Sequence, residues 1–408
     1  MNNNSTLLQI NETLNIGSTG RIASQIGDRA MSLGWNSVIA YGREGKDCAS
    51  KVIKLGTKGS ILWHVAQTRL FDRHGLESKA ATRQLICEIE QVKPSIIHLH
   101  NIHGYFLNYE LLFRYLSTAN TPIIWTLHDC WPITGHCSFF EGIGCDKWRF
   151  GCGRCPYLKD YPRSFLVDRS KKNFLQKKKA FTSPDNLTIV PVSEWLGELV
   201  RQSFLGKYPV KVIHNGTDIN VFTPQESSLR KKYEIDHETI VLGVASVWHE
   251  RKGLNDFVKL SEDDKIKVIL VGVTADVKKR LPNSIIAINR TNSQKELAEL
   301  YSGADVFVNP TYDDNFPTTN IESLACGTPV ITYRTGGSPE AIDEKTGWVV
   351  EKGNIDGLKR IILNIGEENG DKIISRRKLC RERAVMYYNK EDRFQDYIEL
   401  YKELLNEK

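Results

Sequence analysis

Short runs of β-branched and apolar residues alternate with helix-length segments along almost the whole chain, in two successive series. In the first half the strand candidates are Leu7–Ile10, Ser37–Tyr41, Ile96–His100, Ile123–His128, Thr188–Val192 and Val210–His214. In the second half they are Thr239–Ala245, Lys267–Val273, Ile285–Ile288, Asp305–Asn309, Val330–Tyr333 and Trp348–Val350. Helical patterns such as Ile22–Leu33, Tyr109–Ala119 and Ile355–Asn364 lie between them. Such alternation implies parallel sheets covered on both faces, and the right-handed crossover makes them doubly wound. The expected fold class is therefore α/β, with two Rossmann-like doubly wound domains. A chain of 408 residues accommodates both, at about 100–200 residues per domain. The join is expected near Asn215-Gly216, where glycine supplies hinge freedom. This gives a domain 1–215, a domain 216–385 and a helix 386–408 that returns to the first domain.

Charged residues at 25% and aromatic residues at 9% exclude disordered and fibrous classes. No apolar stretch approaches about 18 residues, so no transmembrane helix is expected. The opening Met-Asn-Asn-Asn-Ser-Thr has no basic residue before Arg21 and no long apolar run, which predicts a cytoplasmic location. The net charge of +6 conceals an asymmetry: residues 1–215 hold 27 basic and 17 acidic side chains, residues 216–408 hold 28 and 32. The basic half is expected to meet something anionic.

Ligands of open α/β sheets sit at the carboxyl ends of the strands, so two such domains would hold one in the cleft between them. The loop Asn15-Ile-Gly-Ser-Thr-Gly20 follows the first strand. Its Gly17 and Gly20 allow close backbone approach, and the helix N-terminus behind them favours an anion. His128 and Asp129 end another strand. In the second half, Arg251-Lys252-Gly253 opens a helix, where adjacent cations neutralise a diphosphate. The densest stretch runs from Asn309 to Val330. Asp313 and Asp314 lie in its loop, Phe316-Pro317-Thr318-Thr319 leads into a helix, and Glu322 lies one turn in. Carboxylates there suit the vicinal hydroxyls of ribose or a sugar ring.

Taken together, Gly17–Gly20, Thr126-Leu-His-Asp129, Asn215-Gly-Thr-Asp218, Arg251-Lys252-Gly253, Asp314-x7-Glu322, Cys326-Gly-Thr-Pro-Val330 and Gly336-Gly337-x-x-Glu340 resemble the family 4 glycosyltransferases of the GT-B fold, through essentially the whole chain. The resemblance implies a retaining transfer of sugar from a nucleotide diphosphate to a saccharide, often lipid-linked, in the synthesis of capsule, exopolysaccharide or O-antigen. By the same resemblance, Glu322 holds the ribose hydroxyls and Asp314 the donor sugar. Arg251 and Lys252 stabilise the departing diphosphate, His128 touches the donor sugar, and Gly17 and Gly20 approach phosphate or acceptor. Phe316, Pro317, Thr318 and Thr319 belong to the same donor site. Asp314 and Thr318 stand where the family usually has Glu and often Asn. The absence of an Asp-x-Asp triad predicts no catalytic metal.

Cys137, Cys145, Cys152 and Cys155 crowd an insert at about 130–157, and their C-x7-C-x6-C-x2-C spacing predicts a structural zinc ion; reduced, packed thiols are the other reading. Arg163 to Lys179 carries seven basic residues and one acidic with Phe165, Leu166, Phe174 and Leu175 between them. That pattern predicts either a solvated helix face or peripheral contact with an anionic membrane surface. A GT-B-fold nucleotide-sugar epimerase would share the diphosphate contacts but need acid and base carboxylates around one sugar carbon. A zinc-bearing nucleic-acid binder would leave the second half without a role, so no nucleic acid is expected as partner.

Overall fold

The computed structural model describes residues 5–406. It forms two compact units, one built from residues up to Ile213 together with the chain from Phe394 onward, the other from His214–Arg393. The first contains β1 (Thr6–Asn11), β2 (Asn36–Tyr41), β3 (Lys51–Lys54), β4 (Ile96–Leu99), β5 (Ile123–Leu127) and β6 (Leu187–Pro191). The second contains β7 (Thr239–Val244), β8 (Ile266–Val271), β9 (Ile286–Ile288), β10 (Val306–Asn309), β11 (Val330–Tyr333) and β12 (Gly347–Val350). Every named pairing is parallel, and the strand orders are β3-β2-β1-β4-β5-β6 and β12-β11-β10-β7-β8-β9. Numbered from its own first strand, each sheet reads 3-2-1-4-5-6, the doubly wound Rossmann order.

Burial on both sheet faces explains why the strands read as continuous apolar runs. β4, β5 and β10 are buried at every position. The exception is β3, a Lys-Val-Ile-Lys edge strand with three exposed residues, too polar to stand out in sequence. The expected strand Val210–His214 does not form. The segment runs beside β6 and makes a single bridge, Ile189 to Val210. Pro191 accepts from Ile213 at 3.1 Å but has no N–H to return, so the ladder stops there.

The terminal helix Lys390–Asn406 packs on the first unit through Phe394, Tyr397, Ile398 and Tyr401, which share a cluster with Leu7, Ile26, Ile124 and Val190. His98 is clamped there, 2.7 Å from the Tyr401 hydroxyl and 2.7 Å from Thr126 Oγ1. Gly216 is not in the left-handed region. A Cβ on it would lie 2.5 Å from Lys390 Cα, so close packing, not hinge freedom, requires glycine.

The first unit buries several imidazoles. Loss of hydration pushes His64 and His98 down to about 3 and His128 to about 4. His74 and His100 move in the same direction, again mainly through burial. Each ring is neutral when folded but gains a proton in the unfolded chain below about pH 6.5. Its contribution to stability is therefore present above that pH and lost as the pH falls toward the folded value, by up to about 1.4 kcal/mol per pH unit per ring. The melting temperature is expected to drop steeply from about pH 6.5 to about pH 4.5, and His98→Gln to make the slope shallower. Calorimetry across that range checks this; a flat profile contradicts it.

Candidate active site

In the second unit the strand order reverses between β10 and β7, and the loops following these two strands meet at that point. Gly253 has φ +71°, and a Cβ on it would lie 2.3 Å from the Pro310 carbonyl oxygen. Glycine lets the loops touch, and backbone bonds then lock them. Tyr312 N–H donates to Arg251 O at 2.8 Å, Thr311 Oγ1 donates to the same oxygen at 3.3 Å, and Arg251 Nη1 donates to Asp313 O at 2.5 Å. Lys252 Nζ lies 2.5 Å from Asp314 Oδ2, with side chains 25% and 17% exposed. Asn315 N–H donates to Asp314 Oδ1 at 2.9 Å. Arg251, Lys252 and Asp314, expected as one catalytic group, are thus brought together, and mutual neutralisation holds the pair in place before a ligand arrives.

The helix Thr318–Ala325 begins beside this pair. Its N-cap is Pro317, which offers no side-chain acceptor, so no side chain caps its first turn. Such an end suits an anion. Its orientation comes from a buried chain: Asn309 Nδ2 donates to Asn320 Oδ1 at 2.9 Å and Asn320 Nδ2 to Ser338 Oγ at 3.1 Å. Glu322 sits one turn in and accepts from the Tyr301 hydroxyl at 3.2 Å. Thr318, Thr319 and Glu322 remain partly exposed, whereas Phe316 and Pro317 are buried. The Phe316 ring packs 4.8 Å from His214 and 5.8 Å from Tyr388, which anchors the loop. Two supports were not foreseen. Asp256 accepts from the hydroxyls of Tyr312 and Tyr333 at 3.3 and 3.0 Å, and His214 Nε2 lies 2.9 Å from Glu340 Oε2. Nothing in the sequence sets Asp256 apart within its helix, and Glu340 stands out only through the Gly336-Gly337-x-x-Glu340 spacing.

The remaining site candidates belong to the first unit. Gly17 and Gly20 lie in the first turn of the helix Gly17–Ser32, one turn earlier than its expected start, and its N-cap Ile16 supplies no side-chain bond. Gly17 is exposed with φ +69°; Gly20 is buried, and a Cβ there would meet Thr13 Oγ1 at 2.8 Å. His128 follows β5, half-buried, and its Nε2 lies 3.3 Å from His100 Nδ1. His100 Nε2 lies 3.0 Å from Gln9 Oε1, and Gln9 Nε2 donates to Ala23 O at 2.8 Å. This chain assigns the tautomers. The Gln9 amide donates to a carbonyl, so its oxygen must accept from His100 Nε2. The neutral His100 then accepts at Nδ1, and His128 donates from Nε2. Neutral at pH 7, His128 is left with a lone pair on Nδ1 and acts as a hydrogen-bonding group, not a cation.

The cysteines of the zinc expectation lie in the insert of the first unit. All nine cysteines are free thiols. Cys137 is buried and Cys145, Cys152 and Cys155 pack half-buried beside the core. Among the described residues no group of three His, Cys, Asp or Glu side chains is arranged to hold a metal ion. Cys137 pairs with Cys155, and Cys152 Sγ accepts from Gly135 N–H at 3.2 Å. That partnership draws the Cys155 thiol down to about 7. Lys177, fully buried 3.5 Å above the Trp131 ring, donates to Trp131 O at 2.7 Å and is pushed down to about 7 by loss of hydration.

With this geometry in view, two family models match: Glycosyltransferase Family 4 over residues 21–221 and Glycosyl transferases group 1 over residues 225–384. The chain belongs to glycosyltransferase family 4. It is 24% identical over 370 residues to a protein of Escherichia coli (strain K12) named as a colanic acid biosynthesis glycosyl transferase, WcaC, spanning 85% of this chain and 87% of that one. It is 26% identical over 286 residues, 64% of this chain and 72% of the relative, to the N,N'-diacetylbacillosaminyl-diphospho-undecaprenol alpha-1,3-N-acetylgalactosaminyltransferase of Campylobacter jejuni subsp. jejuni serotype O:2. Anabaena Alr3699/HepE, solved in complex with UDP, superposes with a TM-score of 0.69 at 13% identity, covering 98% of this chain and 100% of that one. The fold is GT-B, and the family 4 chain is a glycosyltransferase.

If the loop pair carries diphosphate charge, Arg251→Ala lowers turnover by about 10²–10³-fold, since a preorganised charge contact contributes about 2–4 kcal/mol. Steady-state rates with the cognate donor check it; a loss of only about twofold contradicts the role.

Proposed function

We propose that this glycosyltransferase moves a sugar from a nucleotide-diphosphate donor to a saccharide, carried on a lipid, in the synthesis of a surface polysaccharide, with retention of anomeric configuration. The observation that carries the reading is the Arg251/Lys252/Asp314 constellation beside the uncapped helix start at Thr318. The difficult event is departure of a diphosphate from an oxocarbenium-like carbon, and fixed cations with open amides match the charge that develops. Lys252 and Arg251 take the diphosphate, Asp314 receives donor-sugar hydroxyls and Glu322 the ribose diol. We read the step as a same-face displacement. The anomeric carbon–phosphate oxygen bond breaks while the acceptor oxygen bonds to that carbon, and the acceptor's proton passes to the departing phosphate. The relatives named for colanic acid and for an undecaprenol-linked acceptor support the polysaccharide and lipid-linked parts.

Thermal stability of the protein against UDP-, GDP-, ADP- and TDP-sugars tests this. A ligand at about 100 times its dissociation constant adds about 2.7 kcal/mol to the native state. One nucleotide series is expected to raise the melting temperature; no shift with any of them overturns the donor assignment.

A further inference from the structure

The basic stretch that suggested membrane contact folds in an unexpected way. The helix Ser170–Phe181 spends its apolar side on the core of its own unit: Phe174, Lys177 and Phe181 are buried. Only Leu175 of its large apolar residues is exposed. The apolar side chains left on the surface lie just before it, in a turn where Phe165 is 55% and Leu166 70% exposed.

This turn does not stand alone. Phe165 N–H donates to Arg69 O at 2.7 Å, which fastens it to the last turn of the helix Lys58–Phe71. That helix exposes Leu62 at 68%, Trp63 at 59% and Leu70 at 40%. Leu62 and Arg69 are seven residues apart, as are Trp63 and Leu70, so each pair lies two turns apart along one face. Exposed cations punctuate the apolar residues: Lys58 and Arg69 on the helix, Arg163 at the turn. Of the nearby carboxylates, Asp168 is committed to the amides of Cys155 and Ser170 at 2.7 and 2.8 Å, and Asp160 remains at the edge.

The patch also borders the strand ends that carry His128. Burial and the charge of Glu12 push the Tyr105 hydroxyl up, while the charges of Arg69, Arg43 and Arg163 pull it down. Tyr105 and Tyr161 stack edge to face at 6.3 Å, and the Tyr161 hydroxyl lies 3.3 Å from His103 Nδ1. His103 Nε2 lies 3.1 Å from Asp129, the residue after His128.

We propose that the surface formed by Leu62, Trp63, Leu70, Phe165 and Leu166, with Lys58, Arg69 and Arg163 around it, docks the first unit on an anionic lipid bilayer and delivers the lipid-borne acceptor to the strand ends beside Tyr105 and Tyr161. Apolar side chains enter the headgroup boundary while cations meet lipid phosphates, the division of labour of an interfacial surface. The proposal rests on the lipid-linked acceptor of the preceding reading and adds the face that meets the bilayer.

Flotation with phosphatidylcholine vesicles, with and without about 30% phosphatidylglycerol, tests it. The wild-type chain is expected to float with the anionic vesicles only. Trp63→Ser/Leu166→Ser is expected to bind at least about tenfold more weakly through lost apolar burial. Arg69→Gln/Arg163→Gln is expected to lose about fivefold per cation and much of the salt sensitivity. Lys178→Gln/Lys179→Gln, on the neighbouring helix, is expected to bind as wild type. Absence of wild-type binding, or binding equal in all variants, overturns the proposal. A self-association in sedimentation that the Trp63/Leu166 variant abolishes also overturns it, because a second copy is then the occupant. Nucleotide-sugar thermal shifts measured on the same variants report the second unit separately. Shifts retained without flotation reject the docking face alone; flotation without any shift rejects the donor reading alone.

Discussion

The close approach of Gly253 to the Pro310 carbonyl is the contact on which the second unit's chemistry depends. A doubly wound sheet reverses direction between its first and fourth strands, and the loops leaving those strands are the only ones that diverge around an open rim. Removing a side chain at Gly253 lets the two loops seat on each other. Once they touch, Tyr312 N–H donates to Arg251 O and Lys252 reaches Asp314. The charges are therefore organised by the backbone, not by the ligand, which is the condition under which cations stabilise a leaving group without costly rearrangement.

The first unit solves a related problem with neutral groups. At its own reversal point Gln9, His100 and His128 form a hydrogen-bonded chain tied to the helix Gly17–Ser32 through Ala23. Burial keeps the imidazoles uncharged, so the chain has a single consistent set of donors and acceptors. One unit thus offers fixed charge and an open helix start, the other oriented neutral rings and close-packed glycine.

Much of the fold was legible because periodicity and length carry it. Eleven of the structure's strands overlap runs of apolar residues read from sequence. The failures have physical causes: β3 is a polar edge strand, and Val210–His214 lies against a proline that cannot complete a ladder. Site residues that carry charge at a loop, such as Arg251, Lys252 and Asp314, were visible. Residues acting through burial were not. The packing of Phe316 against His214 cannot be read from sequence, and Gln9 is an unremarkable polar residue within a strand. The basic stretch near Lys177 shows the same limit, because amphipathic spacing does not say whether the apolar side faces lipid or the protein's own core.

The central claim is that Lys252 and its partners receive a nucleoside diphosphate. Calorimetric titration of that diphosphate into the wild-type chain and into Lys252→Met addresses it without any acceptor. The account predicts at least about tenfold weaker binding for the variant, together with a smaller dependence on ionic strength. Equal affinity and equal salt dependence in the two proteins would contradict it.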